Sequence, residues 1–448
     1  MKNQEKRGKF SSSVGFILAA TGSAVGLGNL WKFPYVAGRS GGAVFVIIYI
    51  FFVFILGVPI MLGEMAIGRK TKLNPIGAYK AINKKYTVIG IIGVVCAFVI
   101  LSYYSVIGGW VLKYITTYIT GAQIVEPSSY FNTFISSSFE PIIWHLAFMA
   151  ATCFIVIKGI SGGIEKCSKI MLPALFILII VIVIRSVTLE GGMAGIKYFL
   201  VPDWSDIDTF PKLGKVLIAA MGQVFFSLSL GMGAMITYGS YLSKDSHMQK
   251  AAVVVPILDT LFAVLAGLAI LPAVFAFGFE PSAGPGLLFE TLPKVFSSMP
   301  FGVIFGLLFF VLVFFAAITS SVSLLEVVTS YLIDNLHIKR KTAAIVVSML
   351  MAVIGVFAAL SFGVFGDVKL FGSTIFDSMT FLTDKVLMPV GGMLMCIFVG
   401  YIWGIDNAAE EISNGGVLTF KWKALFSIIM KYIAPALIMI IFISSFFA

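Results

Sequence analysis

Residues 23–34 read SAVGLGNLWKFP and interrupt an apolar segment that runs from about Val14 to Gly38. Gly22, Gly26, Gly28 and the polar Asn29 fall where a spanning helix would meet the centre of a bilayer. Glycine lowers helix propensity by roughly 1 kcal/mol against alanine, and a polar side chain in hydrocarbon costs more unless partnered. Gly22 and Gly26 also form G-x-x-x-G, so close helix packing explains the glycines equally well. It explains neither Asn29 nor a second such stretch at residues 225–233, FFSLSLGMG. Two interrupted segments about two hundred residues apart point to paired broken helices around a mid-membrane binding site. Freed carbonyls there can hold a cation, and freed amides at a half-helix N-terminus can take a carboxylate.

The elements that must position these residues are spanning helices. The 448-residue chain is 59% hydrophobic and 12% charged, against about 25% charged in soluble domains. Apolar stretches of spanning length centre near Gly26, Phe54, Leu101, Ala150, Ile179, Leu228, Val264, Phe310, Val353, Met393 and Met439, which predicts eleven helices. Alternate connections hold roughly twenty of the 31 basic residues. That asymmetry places the N-terminus in the cytoplasm and the C-terminus outside. The net charge of +10 is therefore a topology signal, not a nucleic-acid footprint. The basic N-terminal segment lacks a small-residue cleavage site after its apolar run, so no cleaved signal peptide is expected. Cys96, Cys153, Cys167 and Cys396 lie in or beside apolar segments and read as buried thiols. With the broken segments as helices one and six, helices one to five and six to ten form two inverted repeats. The expected division is an N-terminal segment 1–12, a first repeat 13–186, an external loop 187–211, a second repeat 212–404, and a loop with helix eleven at 405–448. The fold class is an all-α membrane protein.

Five motifs in order carry a resemblance over nearly the whole chain. They are GSAVGLGNLWKFP from Gly22, GEMAIGR from Gly63, SYY from Ser102, GQVFFSLSLGMG from Gly222 and AAITSSVSLLE from Ala316. Together they resemble the neurotransmitter:sodium symporter family, particularly its bacterial sodium-coupled amino-acid transporters, for which the inverted-repeat plan with broken helices is best known. The resemblance implies a leucine-transporter-like fold and two sodium sites. One would use the Ala24 carbonyl, Asn29, Ser227 and Asp259. The other would use the Gly22, Val25 and Ala316 carbonyls with the Thr319 and Ser320 hydroxyls. Sodium is a hard cation, and such all-oxygen sets suit it. By itself, the run Thr319-Ser320-Ser321 reads as well as hydroxyls bonded back to their own helix.

Asp259 departs from the family, which usually has asparagine there, and Ala263 stands where chloride-dependent members have serine. A fixed carboxylate could supply the charge chloride gives elsewhere, so no chloride is expected. A lone aspartate could equally pair with a lysine for stability. The resemblance places a substrate carboxylate at Leu27, Gly28 and Tyr104, and its ammonium at Ser23, Ala24, Phe226, Ser227 and Ser229. Ser320 belongs to the same pocket, and Ile100, Phe226, Met232 and Leu324 line its side-chain end. Amine-carrying members have an aspartate where Gly26 stands, so an α-amino acid is expected. For the inner gate the matching residues are Arg7, Phe10, Ser240, Tyr241 and Asp334; for the outer, Lys32 with Asp384, Asp377 lying on the other side of the family's partner position. Gly163 and Pro173 in helix five mark either an unwinding segment or a simple kink.

These readings converge on a sodium-coupled symporter of neutral, hydrophobic or aromatic L-amino acids in the plasma membrane. A proton-coupled transporter of the same fold, with Asp259 or Glu64 titrating, is the alternative, and an amino-acid sensor a remoter one. No nucleophile–base pair or metal cluster of recognisable spacing points to an enzyme.

Overall fold

In a computed structural model the chain is described at residues 8–122, 124–244, 246–279 and 286–446. Among these, nine helices are long and apolar enough to cross a membrane. They are helices two (Ala43–Thr71), three (Lys84–Ile119), four (Glu140–Ile157), five (Ile160–Val187), seven (Met248–Ala276), eight (Gly302–Leu336), nine (Arg340–Leu360), ten (Ile375–Ile412) and eleven (Lys423–Ser444). Helix one is Ser13–Ala24 with Gly28–Arg39, bent by 50°. Helix six is Phe210–Ser227 with Ala234–Ser240. Every one of the eleven hydropathy centres falls on one of these helices or in its break.

The breaks have local causes. Ser12 caps helix one, its Oγ accepting from the Gly15 N–H at 3.0 Å. At Val25 the backbone turns extended (ψ 108°), and a π-helical turn, Gly28–Lys32, follows. In helix six, Ser229, Gly231 and Gly233 all have positive φ (53°, 79° and 77°), which no right-handed helix can hold. Glycine takes that conformation freely, whereas at Ser229 it costs about 1 kcal/mol or more. The Gly231 N–H released by the break donates to Glu64 Oε1 of helix two at 2.8 Å. A carboxylate inside a span thus meets a backbone donor that hydrocarbon could not satisfy.

Helices three, four, eight and nine all touch one another and form a frame. Small residues allow it: a methyl at Gly109 would stand 2.5 Å from the His145 nitrogen, and one at Gly355 2.5 Å from the Ser102 carbonyl. The first half of helix one lies on helices five, seven and eight; the second half of helix six lies on helices two and eight. Large apolar side chains cover the outer faces, among them Ile177, Ile180 and Ile184 of helix five and Met349, Val353 and Phe357 of helix nine. Such a belt is stable against lipid and not against water.

Candidate substrate and cation sites

The two breaks are bonded to each other. Ser229 Oγ donates to the Ser23 carbonyl at 3.0 Å, and Gln223 Nε2 to the Gly28 carbonyl at 3.0 Å. Asn29 Nδ2 reaches Ser227 Oγ at 3.0 Å. From helix three, Tyr104 Oη accepts from the Leu27 N–H at 3.3 Å, a donor that the break has freed from the helical ladder. From helix eight, Ser320 Oγ lies 3.2 Å from the carbonyls of Ser23 and Val25 and 3.4 Å from that of Gly22. Gly26 sits between these groups. A methyl there would stand 2.5 Å from Ser320 Oγ and 3.2 Å from Tyr104 Oη.

Around this point several mid-span residues keep a little accessible surface: Ile100 3%, Ala24, Met232 and Leu324 4%, Tyr104 5%, Ser229 7% and Ser320 8%. Their neighbours Val25, Leu101 and Leu325 keep none. These side chains are polar at Tyr104, Ser229 and Ser320 and apolar at Ile100, Met232 and Leu324. The Phe226 ring lies close to Gly28, and Lys32 Nζ is 3.9 Å from its centroid.

Asn29, Ser227 and Asp259 meet at one flank of the break. Asp259 Oδ1 accepts from Asn29 Nδ2 at 2.8 Å, and Oδ2 from Ser227 Oγ at 2.7 Å and Tyr49 Oη at 3.3 Å. Asn29 Oδ1 accepts from the Gly26 N–H at 3.0 Å. These three donors to Asp259 are neutral, so its partners are not the lysine that a purely stabilising pair requires. Ala24 ends the first half-helix beside them, and Ala263 is buried one turn from Asp259. On the other flank Gly22 faces Thr319, whose Cβ would lie 3.2 Å from an added methyl. Thr319 Oγ1 bonds back to the Phe315 carbonyl at 2.9 Å and the Ala316 carbonyl at 3.1 Å, whereas Ser320 crosses to helix one. A hydroxyl that donates to its own helix still has oxygen lone pairs to offer a cation, so both readings of the run stay open.

The residues expected at the two gates lie at opposite ends of the broken helices. At one end, Lys32 Nζ and Asp384 Oδ2 are 2.9 Å apart, with side chains 33% and 21% exposed. A pair so wetted contributes about 1 kcal/mol or less, and the contact with Phe226 a comparable amount. Asp377 is engaged elsewhere, accepting from Thr374 Oγ1 at 2.7 Å. At the other end, Phe10 packs edge-on against Phe16, Tyr238 and Tyr241. Ser240 Oγ donates to the Thr237 carbonyl at 2.5 Å, and Asp334 Oδ2 accepts from Asn74 N and Nδ2 at 2.9 and 3.0 Å. Arg7 lies outside the described residues.

Four residues were not assigned from sequence. Tyr49 is one tyrosine in an apolar helix and gave no signal alone. Gln223 was visible only as a polar residue within the helix-six motif. Glu326 and Arg340 form a bidentate pair at 2.7 and 2.9 Å, and Tyr241 Oη donates to Glu326 at 2.5 Å. Glu326, a charge in a span, was the available clue.

Comparison with known proteins agrees with this architecture. The profile of the Sodium:neurotransmitter symporter family matches residues 7–133 and 130–448. The uncharacterized sodium-dependent transporter YhdH of Bacillus subtilis is 39% identical over 448 residues, covering 99% of this chain and 98% of its own. A sodium-dependent transporter of Haemophilus influenzae is 37% identical, covering 99% of both chains. The crystal structure of MhsT in complex with L-phenylalanine superposes with a TM-score of 0.90 at 44% identity, over 98% of this chain and 100% of that one. MhsT has the leucine-transporter fold, and the two inverted five-helix repeats expected here are that fold's plan. Matched from end to end in sequence and in backbone, this sodium-dependent, multi-pass membrane transporter belongs to the sodium:neurotransmitter symporter family.

Proposed function

We propose that this transporter carries neutral L-amino acids with hydrophobic or aromatic side chains, coupled to two sodium ions, by alternating access and without chloride. The observation that supports the reading is the helix-one break itself: the Leu27 amide it frees meets Tyr104, and Gly26 has no room for a carboxylate of its own, while Ile100, Met232 and Leu324 offer nearly buried apolar side chains. The substrate carboxylate binds at the Leu27 and Gly28 amides beside Tyr104, helped by the half-helix dipole. Its ammonium meets carbonyls around Ser23, Ala24 and Phe226 and the hydroxyl groups of Ser227 and Ser229. MhsT, whose structure contains L-phenylalanine, supports the substrate class by likeness. Sodium binds at the two oxygen clusters, first Ala24, Asn29, Ser227 and Asp259, second Gly22, Val25, Ala316, Thr319 and Ser320. The N-terminus faces the cytoplasm and the C-terminus the outside of the plasma membrane, because basic residues crowd one set of connections.

Uptake of labelled leucine or tryptophan into proteoliposomes tests this. An inward sodium gradient is expected to drive it, and other hydrophobic and aromatic amino acids to compete. A proton gradient that drives uptake without sodium, or lysine or glutamate as the best competitor, overturns the reading. Replacing Thr319 and Ser320 together with alanine is expected to raise the sodium concentration for half-maximal uptake about tenfold. That is the equivalent of losing one or two net hydrogen-bond-sized contacts. Unchanged sodium dependence would assign both hydroxyls to helix packing.

A further inference from the structure

Glu165 is buried at 1% exposure where helix one begins against helix five. Its Oε2 accepts from the Ser11 N–H at 2.7 Å, and its Oε1 from the Ser11 hydroxyl and, at 3.5 Å, from Ser12 Oγ. Lys169 Nζ lies 2.6 Å from Oε1 and also donates to Ser11 Oγ at 3.3 Å. A carboxylate at the N-terminal end of a half-helix satisfies free N–H groups and favours the helix dipole. Gly15 makes the approach possible: a methyl there would stand 1.9 Å from Glu165 Oε1.

The element that carries Glu165 is weak on both sides. Glu165 ends the π-helical turn Ile160–Glu165, and Pro173 follows in the same helix. Proline has no N–H, so the Lys169 carbonyl loses its helical donor. The element it holds is stiff. Ser13–Ala24 is a 12-residue rod, about 18 Å long, with Glu165 at one end and Ser320 on the Gly22 and Val25 carbonyls at the other.

We propose that Glu165 is a positioning residue for transport. It docks the cytoplasmic end of helix one on helix five and sets how much sodium is needed to keep that half-helix closed. The rod is tied at two points, by Glu165 at the cytoplasmic end and by the second sodium site at mid-membrane. When sodium leaves, Glu165 is the charged tie that remains at the cytoplasmic end, beside the Phe10 packing, and its release lets the rod swing. The inference rests on the second sodium site proposed above, and its test separates the two.

Hydrogen exchange of residues 8–24 is measured on the purified full chain across a sodium titration, for the natural protein, Glu165→Gln and Gly15→Ala. Glu165→Gln keeps an acceptor but removes the charge. Gly15→Ala keeps the charge and displaces the carboxylate. Both are expected to exchange about tenfold faster without sodium, the size of one charge-assisted hydrogen bond. Both are also expected to need more sodium for protection and to reach the natural protein's plateau at saturation. Helix propensity alone predicts the opposite sign for Gly15→Ala. Sodium-free exchange equal to the natural protein's in both variants overturns the proposal. So does faster exchange spread through helices three and eight, which reports general loosening. If sodium leaves the natural protein's exchange unchanged, the second sodium site is wrong, and the sodium-free comparison still decides Glu165.

Discussion

Gly26→Asp is expected to abolish amino-acid binding and uptake. The new Cβ would stand 2.5 Å from Ser320 Oγ, the hydroxyl that touches the Gly22, Ser23 and Val25 carbonyls. The new carboxylate would share the space with the substrate's own. Two like charges 4 Å apart at an effective dielectric of 20 repel by about 4 kcal/mol, roughly a thousandfold in affinity. Gly26→Ala introduces the contact with Ser320 but not the charge, so its loss is expected to be smaller. Equilibrium binding of labelled tryptophan or leucine at saturating sodium, with thermal unfolding as the folding control, measures both. An aspartate variant that binds within about threefold of the natural protein would remove Gly26 from the pocket, and the argument for an α-amino acid with it.

The spans and the two breaks were legible because their signals are compositional. Long apolar runs show a membrane, and glycine, serine and asparagine at mid-span are costly enough to mark where a helix is not needed. Side-chain partners were less legible, since they depend on helix rotation. Lys32 had two aspartates within reach, Asp377 and Asp384, one turn to either side of the expected place. The structure pairs it with Asp384, and both partners lie in π-helical turns, Gly28–Lys32 and Leu382–Leu387. A π-turn inserts a residue and rotates everything after it, so counting in steps of 3.6 could not choose. Thr319 and Ser320 show the same limit. Adjacent hydroxyls look alike in sequence, but one bonds its own helix and the other crosses to helix one. Glu165 and Glu326 are charges near a span end and within a span that the sequence reading passed over, and their partners Ser11 and Arg340 are set by tertiary packing.

Replacing chloride with gluconate is expected to leave uptake by the natural protein unchanged, and Asp259 is the reason. Tyr49 and Ser227 both direct their hydroxyls at Asp259 Oδ2, so that oxygen already occupies the place where a free anion would accept from them. A sodium ion held nearby in a poorly screened site gains from a negative charge, whether carried by an ion or a side chain. Asp259→Asn removes the charge while keeping the shape. The sodium concentration for half-maximal uptake is then expected to rise more than about tenfold, since one unit charge a few ångströms away contributes several kcal/mol even at a dielectric of 20. Asp259→Asn with Ala263→Ser adds a hydroxyl one turn along the same buried face and restores a neutral, anion-accepting set. Its uptake is expected to become chloride-stimulated, most strongly at limiting sodium, because the returning anion strengthens sodium binding and not the transport step. Uptake by all three proteins, measured in chloride and in gluconate across a sodium titration, decides the matter. Chloride dependence in the natural protein, or a double variant whose residual uptake ignores chloride at every sodium concentration, would show that the carboxylate does not stand in for the anion.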